Sequence, residues 1–508
     1  MAVRFEILMN RAALVAATFA CGATLLAPLA GAQPAATHGT QPGVTLTPCH
    51  PNGVKEELRC GVYNVFEDRR TRKGRKLPLK IVVIAARRPH PDQGPVFYMP
   101  GGPGETATEM AADMIDSVDR DEHDVVLVDE RGTGDGHRLD CPSLGSDDNL
   151  EGYLKPPFDP EAARDCRRKL ERHFDLSQYT TAAFAEDLDE IRQAMGYAKI
   201  NLDAGSFGTY AALMYIRRHG EHVRSAYLAS VVTLSNRVPL YHAEAAQRAL
   251  DELFRQCDQD AACHAAHPRL REDFTAVLAK VHERPVLTWV RHPTTGSRTE
   301  VHLAEPAFAD AVRVMMYSGE RARELPFLIE QARAGDFSPF ADAAVRTIRG
   351  FYAGARFGLH YAITCNEFVD RIRPEEVEPA TRGSYFGAWR VNGQIALCKA
   401  WPKTHLPGDH FEPFRSEVPA VLISGDTDPV TSPRWGEEVK SFMPNAIHLV
   451  VTGGGHTPDN DCTRSIRSEM FRRGATRRLD VSCIAKLRPA PFKLPVKSAA
   501  EKSGSEGL

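Results

Sequence analysis

The chain has 508 residues, 43% of them apolar and 25% charged, with a formal net charge of −3. Those fractions describe an ordinary globular protein, and the near-neutral balance argues against a nucleic-acid binder. A length above that of the usual single core predicts one large domain with an insertion, or two domains.

The first feature in chain order is a targeting segment. Arg4 and Arg11 precede an apolar stretch at 12–30, and Ala30-Gly31-Ala32 offers a small-residue cleavage site. Residues 1–32 are therefore expected to be a signal peptide, with the mature chain starting near Gln33. Pro28 and the Ala/Gly content argue against an uncleaved anchor, and Thr18-Phe19-Ala20 is a poor lipidation match before Cys21. No later segment is apolar over the length a bilayer requires. Next, the basic run 69–76 lies between strand-like segments at 60–66 and 77–85, which predicts a solvated hairpin turn. Setting Cys21 aside leaves ten cysteines in sequence-local couples: Cys49/Cys60, Cys141/Cys166, Cys257/Cys263, Cys365/Cys398 and Cys462/Cys483. Connectivity is not fixed by sequence, and neighbour pairing is the simplest hypothesis. It predicts an oxidising compartment, periplasmic or extracellular. Closing the Cys462/Cys483 loop would stabilise by ~3 kcal/mol on the chain-entropy model. No Cys-x-x-Cys pair is present, so no structural zinc is expected.

Strand-like apolar segments at 95–99, 124–129, 199–202 and 225–231 alternate with amphipathic ones such as 182–195. The alternation predicts an α/β protein with a parallel sheet covered by helices on both faces. Two more strands are expected at 418–424 and 446–451. The stretch between is mainly helical in pattern, as at 245–254 and 274–281. It reads as a cap, 233–410, inserted between core parts at 45–232 and 411–487. Residues 488–508, rich in Pro, Lys, Ser and Gly, are expected to be a disordered tail.

The most informative stretch is Ile200-Asn201-Leu202-Asp203-Ala204-Gly205-Ser206-Phe207-Gly208-Thr209. An apolar strand runs into a serine between glycines and then into a helix, the pattern of a nucleophile elbow. A serine hydroxyl needs a base oriented by a third group. Gly425-Asp426-Thr427-Asp428 follows the strand at 418–424, and Thr452-Gly453-Gly454-Gly455-His456 follows the strand at 446–451. Ser206, Asp428 and His456 thus stand in order at three strand ends as a candidate triad, with Asp426 as a turn residue. The glycine turn Gly101-Gly102-Pro103-Gly104 follows the strand at 95–99. The amides of Gly102 and Phe207 are the candidate oxyanion donors.

Gly101 to Gly104, Asp129-Glu130-Arg131-Gly132-Thr133-Gly134, Tyr179-Thr180-Thr181 with Asp187-Leu188-Asp189, and the elbow together resemble the proline iminopeptidase/tripeptidyl aminopeptidase family of α/β-hydrolases. The region 425–431, His456 and the Cys462/Cys483 tail resemble its tripeptidyl aminopeptidase branch, so the likeness runs over about 49–483. It implies an α/β-hydrolase fold with a mainly parallel sheet and a large, mostly helical cap before the last core strands. It also implies an exported serine aminopeptidase that releases one to three residues from free peptide N-termini through an acyl-enzyme, with no metal or cofactor. Its partners would be short peptide substrates, with no nucleic acid and no stable membrane insertion; oligomeric state is not read. Ala204 replaces a usual glycine of the elbow, and Pro100 a usual histidine, the latter weakening the match to a strict proline iminopeptidase. A cationic α-amine needs a carboxylate, for which Glu367 in the cap and Glu105 after the glycine turn are the candidates. A carboxylesterase or amidase on the same triad, and a non-catalytic binding protein on this scaffold, are the alternatives.

Overall fold

The computed structural model describes residues 43–495, apart from 157, 353 and 413. The expected signal peptide and Cys21 lie outside the described residues. Nine strands form one sheet: β1 (Thr47–Cys49), β2 (Leu58–Asp68), β3 (Lys73–Ile84), β4 (Val96–Met99), β5 (Val125–Val128), β6 (Ile200–Gly205), β7 (Val223–Ala229), and, after a long insertion, β10 (Ala420–Gly425) and β11 (Ala446–Val451). Their order is β1-β2-β3-β5-β4-β6-β7-β10-β11. β1, β2, β3 and β5 pair antiparallel in turn, and every later pairing is parallel. The parallel strands are short apolar runs because helices cover both their faces; all four residues of β5 are buried. Only 69–72 of the basic run form the β2–β3 turn, because 73–76 already belong to β3, and Arg69 is drawn inward to donate to the buried Asp187 at 2.5 Å and to Glu190 at 2.6 Å.

Register brings the functional loops to one edge. Met99 pairs with Ala204, Gly205 with Ala229, and Gly425 with Val451. The chain therefore leaves β4, β6, β7, β10 and β11 on the same side, at the carboxyl ends where α/β sheets place their sites. The helix Phe207–His219 starts directly after Ser206 and is buried from Phe207 to Ile216. A Cβ on Gly208 would lie 2.1 Å from the Met99 carbonyl, so only glycine allows this helix so close to β4.

The insertion is helical except for the hairpin β8 (Val286–Arg291) and β9 (Arg298–Leu303). It builds an apolar core of its own around Leu253, Phe308, Ile329 and Phe340. Two features differ from the expected layout. Leu150 and Leu154, far upstream, belong to this second core, whereas Phe357, Ile363, Phe368, Leu397 and Trp401, inside the insertion, bury with the sheet. The first part of the expected tail is also held in place: Phe492 is buried beneath the Arg323 guanidinium, 4.2 Å from its ring, and the Lys493 amide donates to the Arg323 carbonyl at 3.1 Å. Pattern reading missed this because a single aromatic in a Pro/Lys-rich segment carries no periodicity.

Disulfides join Cys49–Cys60, Cys141–Cys166, Cys257–Cys263, Cys365–Cys398 and Cys462–Cys483. The 129–134 motif has a structural use. Arg131, fully buried, donates from Nε and Nη2 to both oxygens of Asp187 at 2.7 and 2.8 Å, and from Nη1 to the carbonyls of Gln178 and Glu67. Removing one partner of such a pair leaves an uncompensated buried charge. Asp187→Ala is expected to lower unfolding free energy by ~3–5 kcal/mol in a guanidinium titration; a change below about 1 kcal/mol would contradict the pair's role.

Candidate active site

Ser206 takes φ 55° and ψ −127°, a conformation that L-residues avoid. The turn is held from both sides. The Ser206 amide donates to the Ala229 carbonyl at 2.9 Å, and its carbonyl accepts from the Thr209 amide and, at 2.6 Å, from Thr209 Oγ1. Two further residues at the same edge, Ser230 (φ 58°) and Thr457 (φ 49°), share the left-handed region. They are joined to each other, the Thr457 amide donating to Ser230 Oγ at 2.7 Å.

Asp428 is fully buried in the turn after β10. Its Oδ1 accepts from the amides of Val430 and Thr431, both at 2.9 Å. Its Oδ2 accepts from Ser230 Oγ at 2.8 Å and Thr431 Oγ1 at 2.6 Å, and lies 2.9 Å from His456 Nδ1. Burial alone would raise this carboxyl; the adjacent imidazole and the converging donors outweigh it and hold it below the ordinary carboxylate range. Asp426, two residues earlier, faces the histidine loop instead. Its Oδ1 accepts from the Gly453 amide at 2.7 Å, and burial pushes its carboxyl up to about 6.

The histidine loop is clamped between the sheet and the insertion. The His456 amide donates to the Tyr317 carbonyl at 2.9 Å, and the Tyr317 ring lies 4.7 Å from the imidazole centroid. A Cβ on Gly455 would fall 2.4 Å from the Tyr317 carbonyl, and one on Gly425 would fall 2.1 Å from the Gly455 carbonyl. Thr452–His456 is glycine-rich because backbone approaches it closely on two sides.

Ser206 and His456 line one cavity of about 730 Å³, together with Gly102, Phe207 and Glu105. Gly102 has φ 111°. Glu105 is half-buried, accepts from the Gly101 amide at 3.0 Å, and is raised by burial. Glu367 is placed differently from its expected role as an amine ligand. It is fully buried and does not line the cavity. One oxygen accepts from the Thr181 amide at 2.7 Å, and the other lies 2.9 Å from His410 Nε2. That fixes the Tyr179-Thr180-Thr181 motif: Thr180 Oγ1 caps the helix Thr181–Ala194 by accepting from the Ala183 amide, and Glu367 accepts from the amide of the helix's first residue, Thr181. Sequence position within the cap did not reveal that this segment faces the helix start.

The chain matches two family models: alpha/beta hydrolase fold over residues 94–305 and TAP-like protein over residues 383–483. The chain has the α/β-hydrolase fold. It is similar to a tripeptidyl aminopeptidase of Streptomyces lividans, 29% identical over 226 residues, which are 40% of this chain and 41% of that protein's length. It is also similar to serine protease Hip1 of Mycobacterium bovis, 27% identical over 399 residues, 72% of this chain and 75% of that one. A third relative is carboxylesterase B of Mycobacterium tuberculosis, 28% identical over 230 residues, 40% of this chain and 43% of that one. The helical insertion covers the edge of the sheet that holds Ser206.

Sequence reasoning missed Ser230, Thr431 and Tyr317. Ser230 had a signal, being the first residue after β7. Tyr317 had none, since its contact joins positions 139 residues apart in the α/β-hydrolase chain. Glu130, beside Glu367 and buried, is pushed up to about 8 by desolvation and then by the Glu367 charge. The folded enzyme thus keeps a proton that the unfolded chain loses above its ordinary value of 4.5. Between those values the folded state binds more protons, so this carboxyl costs stability as pH rises, at about 1.4 kcal/mol per pH unit. Glu130→Gln is expected to melt higher than the wild type by a margin that widens from pH 5 to pH 8; a margin flat with pH would contradict the assignment.

Proposed function

We propose that the protein is an exported serine aminopeptidase that releases one to three residues from free peptide N-termini. The observation that carries the chemistry is the buried Asp428 carboxylate bonded to His456 Nδ1, with His456 and the strained Ser206 lining one cavity. With Nδ1–H directed at Asp428, Nε2 is the basic nitrogen. His456 takes the Ser206 proton as Oγ attacks the scissile carbonyl, and the amides of Gly102 and Phe207 hold the oxyanion. His456 then gives that proton to the leaving amine, which departs as the tetrahedral intermediate collapses to the acyl-enzyme. Water, deprotonated by the same imidazole, attacks the acyl carbon and returns Ser206 to its hydroxyl form.

Peptide substrates are supported by the names of the two peptidase relatives. Export is supported by the five disulfides and the N-terminal segment. Among the described residues no helix is long and apolar enough to cross a membrane. Glu105 is the carboxylate we assign to the substrate's α-ammonium. The carboxylesterase relative favours a second reading, an esterase on the same three residues.

Free and N-acetylated peptide anilides separate the two readings. Cleavage of free peptides with loss of about tenfold or more on acetylation is expected; equal rates on both, or cleavage of short esters alone, would overturn the aminopeptidase assignment. Asp428→Asn is expected to lower kcat by about 10⁴, and Asp426→Asn by far less. A larger loss at Asp426 would reverse the choice between the two.

A further inference from the structure

Three polar side chains in the cavity wall have no evident use within the protein. Asn236, His242 and Gln394 are 3%, 6% and 2% exposed, and all three line the cavity that holds Ser206. Neither ring nitrogen of His242 has a hydrogen-bond partner, and neither do the amide oxygens of Asn236 and Gln394. Buried polar atoms are nearly always paired, so each unpaired one needs a physical reason. The three stand on separate elements: Asn236 in the connection after β7, His242 at the start of the helix His242–Gln259, and Gln394 on the helix Trp389–Cys398. One local packing fault cannot account for them together. Arg390, one helical turn before Gln394, lines the same cavity.

The chemistry of the three is alike. Burial first, and then the charges of Arg390 and Arg313, hold the His242 imidazole well below its ordinary value, so it is neutral. A neutral imidazole has one donor and one acceptor, and a carboxamide has both. An apolar ligand would leave all of these groups unpaired. A cation would be repelled by the guanidiniums of Arg390 and Arg313, whose charges add to burial in keeping His242 unprotonated. An uncharged amide, with its own N–H and C=O, matches them.

We propose that Asn236, His242 and Gln394 form an amide-recognition subsite, which binds a C(=O)–NH unit of the substrate away from the scissile bond. The unit is either a backbone peptide bond or a carboxamide side chain. This rests on the reading of the cavity as a peptide-substrate site.

The test compares kcat/KM for Ala-, Ala-Ala- and Ala-Ala-Ala-p-nitroanilide, for the same series with Gln in place of one Ala, and for p-nitrophenyl acetate. The readout is the ratio of the best anilide to the ester, which a general folding defect leaves unchanged. His242→Phe and Gln394→Leu, on different helices, are each expected to lower that ratio about tenfold or more, chiefly through KM. His242→Gln, which keeps a donor and an acceptor, restores part of it. For the wild-type enzyme, an ester in place of an upstream peptide bond costs about as much if the backbone is the ligand. If the ligand is a side chain, the gain appears only in the Gln series. Ratios unchanged in both variants, with anilides still cleaved, overturn the subsite alone. A wild-type enzyme that cleaves the ester and no anilide overturns the peptidase reading and the subsite with it.

Discussion

The parallel pairing of β6, β7, β10 and β11 is the constraint on which the site depends. Strands that run in one direction deliver their following loops to one edge, whatever their distance in sequence. Ser206, Ser230, Asp428 and His456 follow these four strands and span 250 residues of chain, yet hydrogen bonds link Ser230 to Asp428 and Asp428 to His456. A slip of one residue in any pairing would turn these positions to the other face. The register is secured where strands are most buried, along the apolar runs of β6, β7 and β10.

Strain at the edge is compensated by this same network. Ser206, Ser230 and Thr457 each occupy a positive-φ conformation, at a typical cost of ~1–3 kcal/mol. Ser230 accepts from the Thr457 amide and donates to Asp428, so two of the three strained residues help place the carboxylate and the histidine loop. The insertion closes the arrangement from the other side through Tyr317, whose carbonyl holds the His456 amide and whose ring packs on the imidazole. Fold and site are thus coupled: the insertion that covers the cavity also positions the loop carrying His456.

Much of this was legible in the sequence because it is local. An apolar run ending in Gly-Ser-Phe-Gly marks a strand, a turn and a helix within ten residues, and Asp428 and His456 each lie in the loop that follows an apolar strand. What escaped the sequence depends on long-range contact. Glu367 carries the residue type that an amine ligand needs, but its surroundings come from Thr181 and His410, which no spacing rule connects to it. Arg131 and Asp187 entered only as parts of the motifs that carry the family resemblance, and they form a buried ion pair. The insertion's division between two apolar cores was equally hidden, since helical periodicity says that a face is buried and not against what.

The proposed mechanism requires that Ser206 be acylated during turnover. Intact-mass measurement and peptide mapping of enzyme quenched in acid during hydrolysis of a tripeptidyl p-nitrophenyl ester test it most directly. An adduct of one tripeptidyl group is expected on the peptide that contains Ser206, absent when Ser206 is replaced by Ala. Turnover with no adduct under conditions where deacylation is slow, or an adduct on another residue, would contradict it.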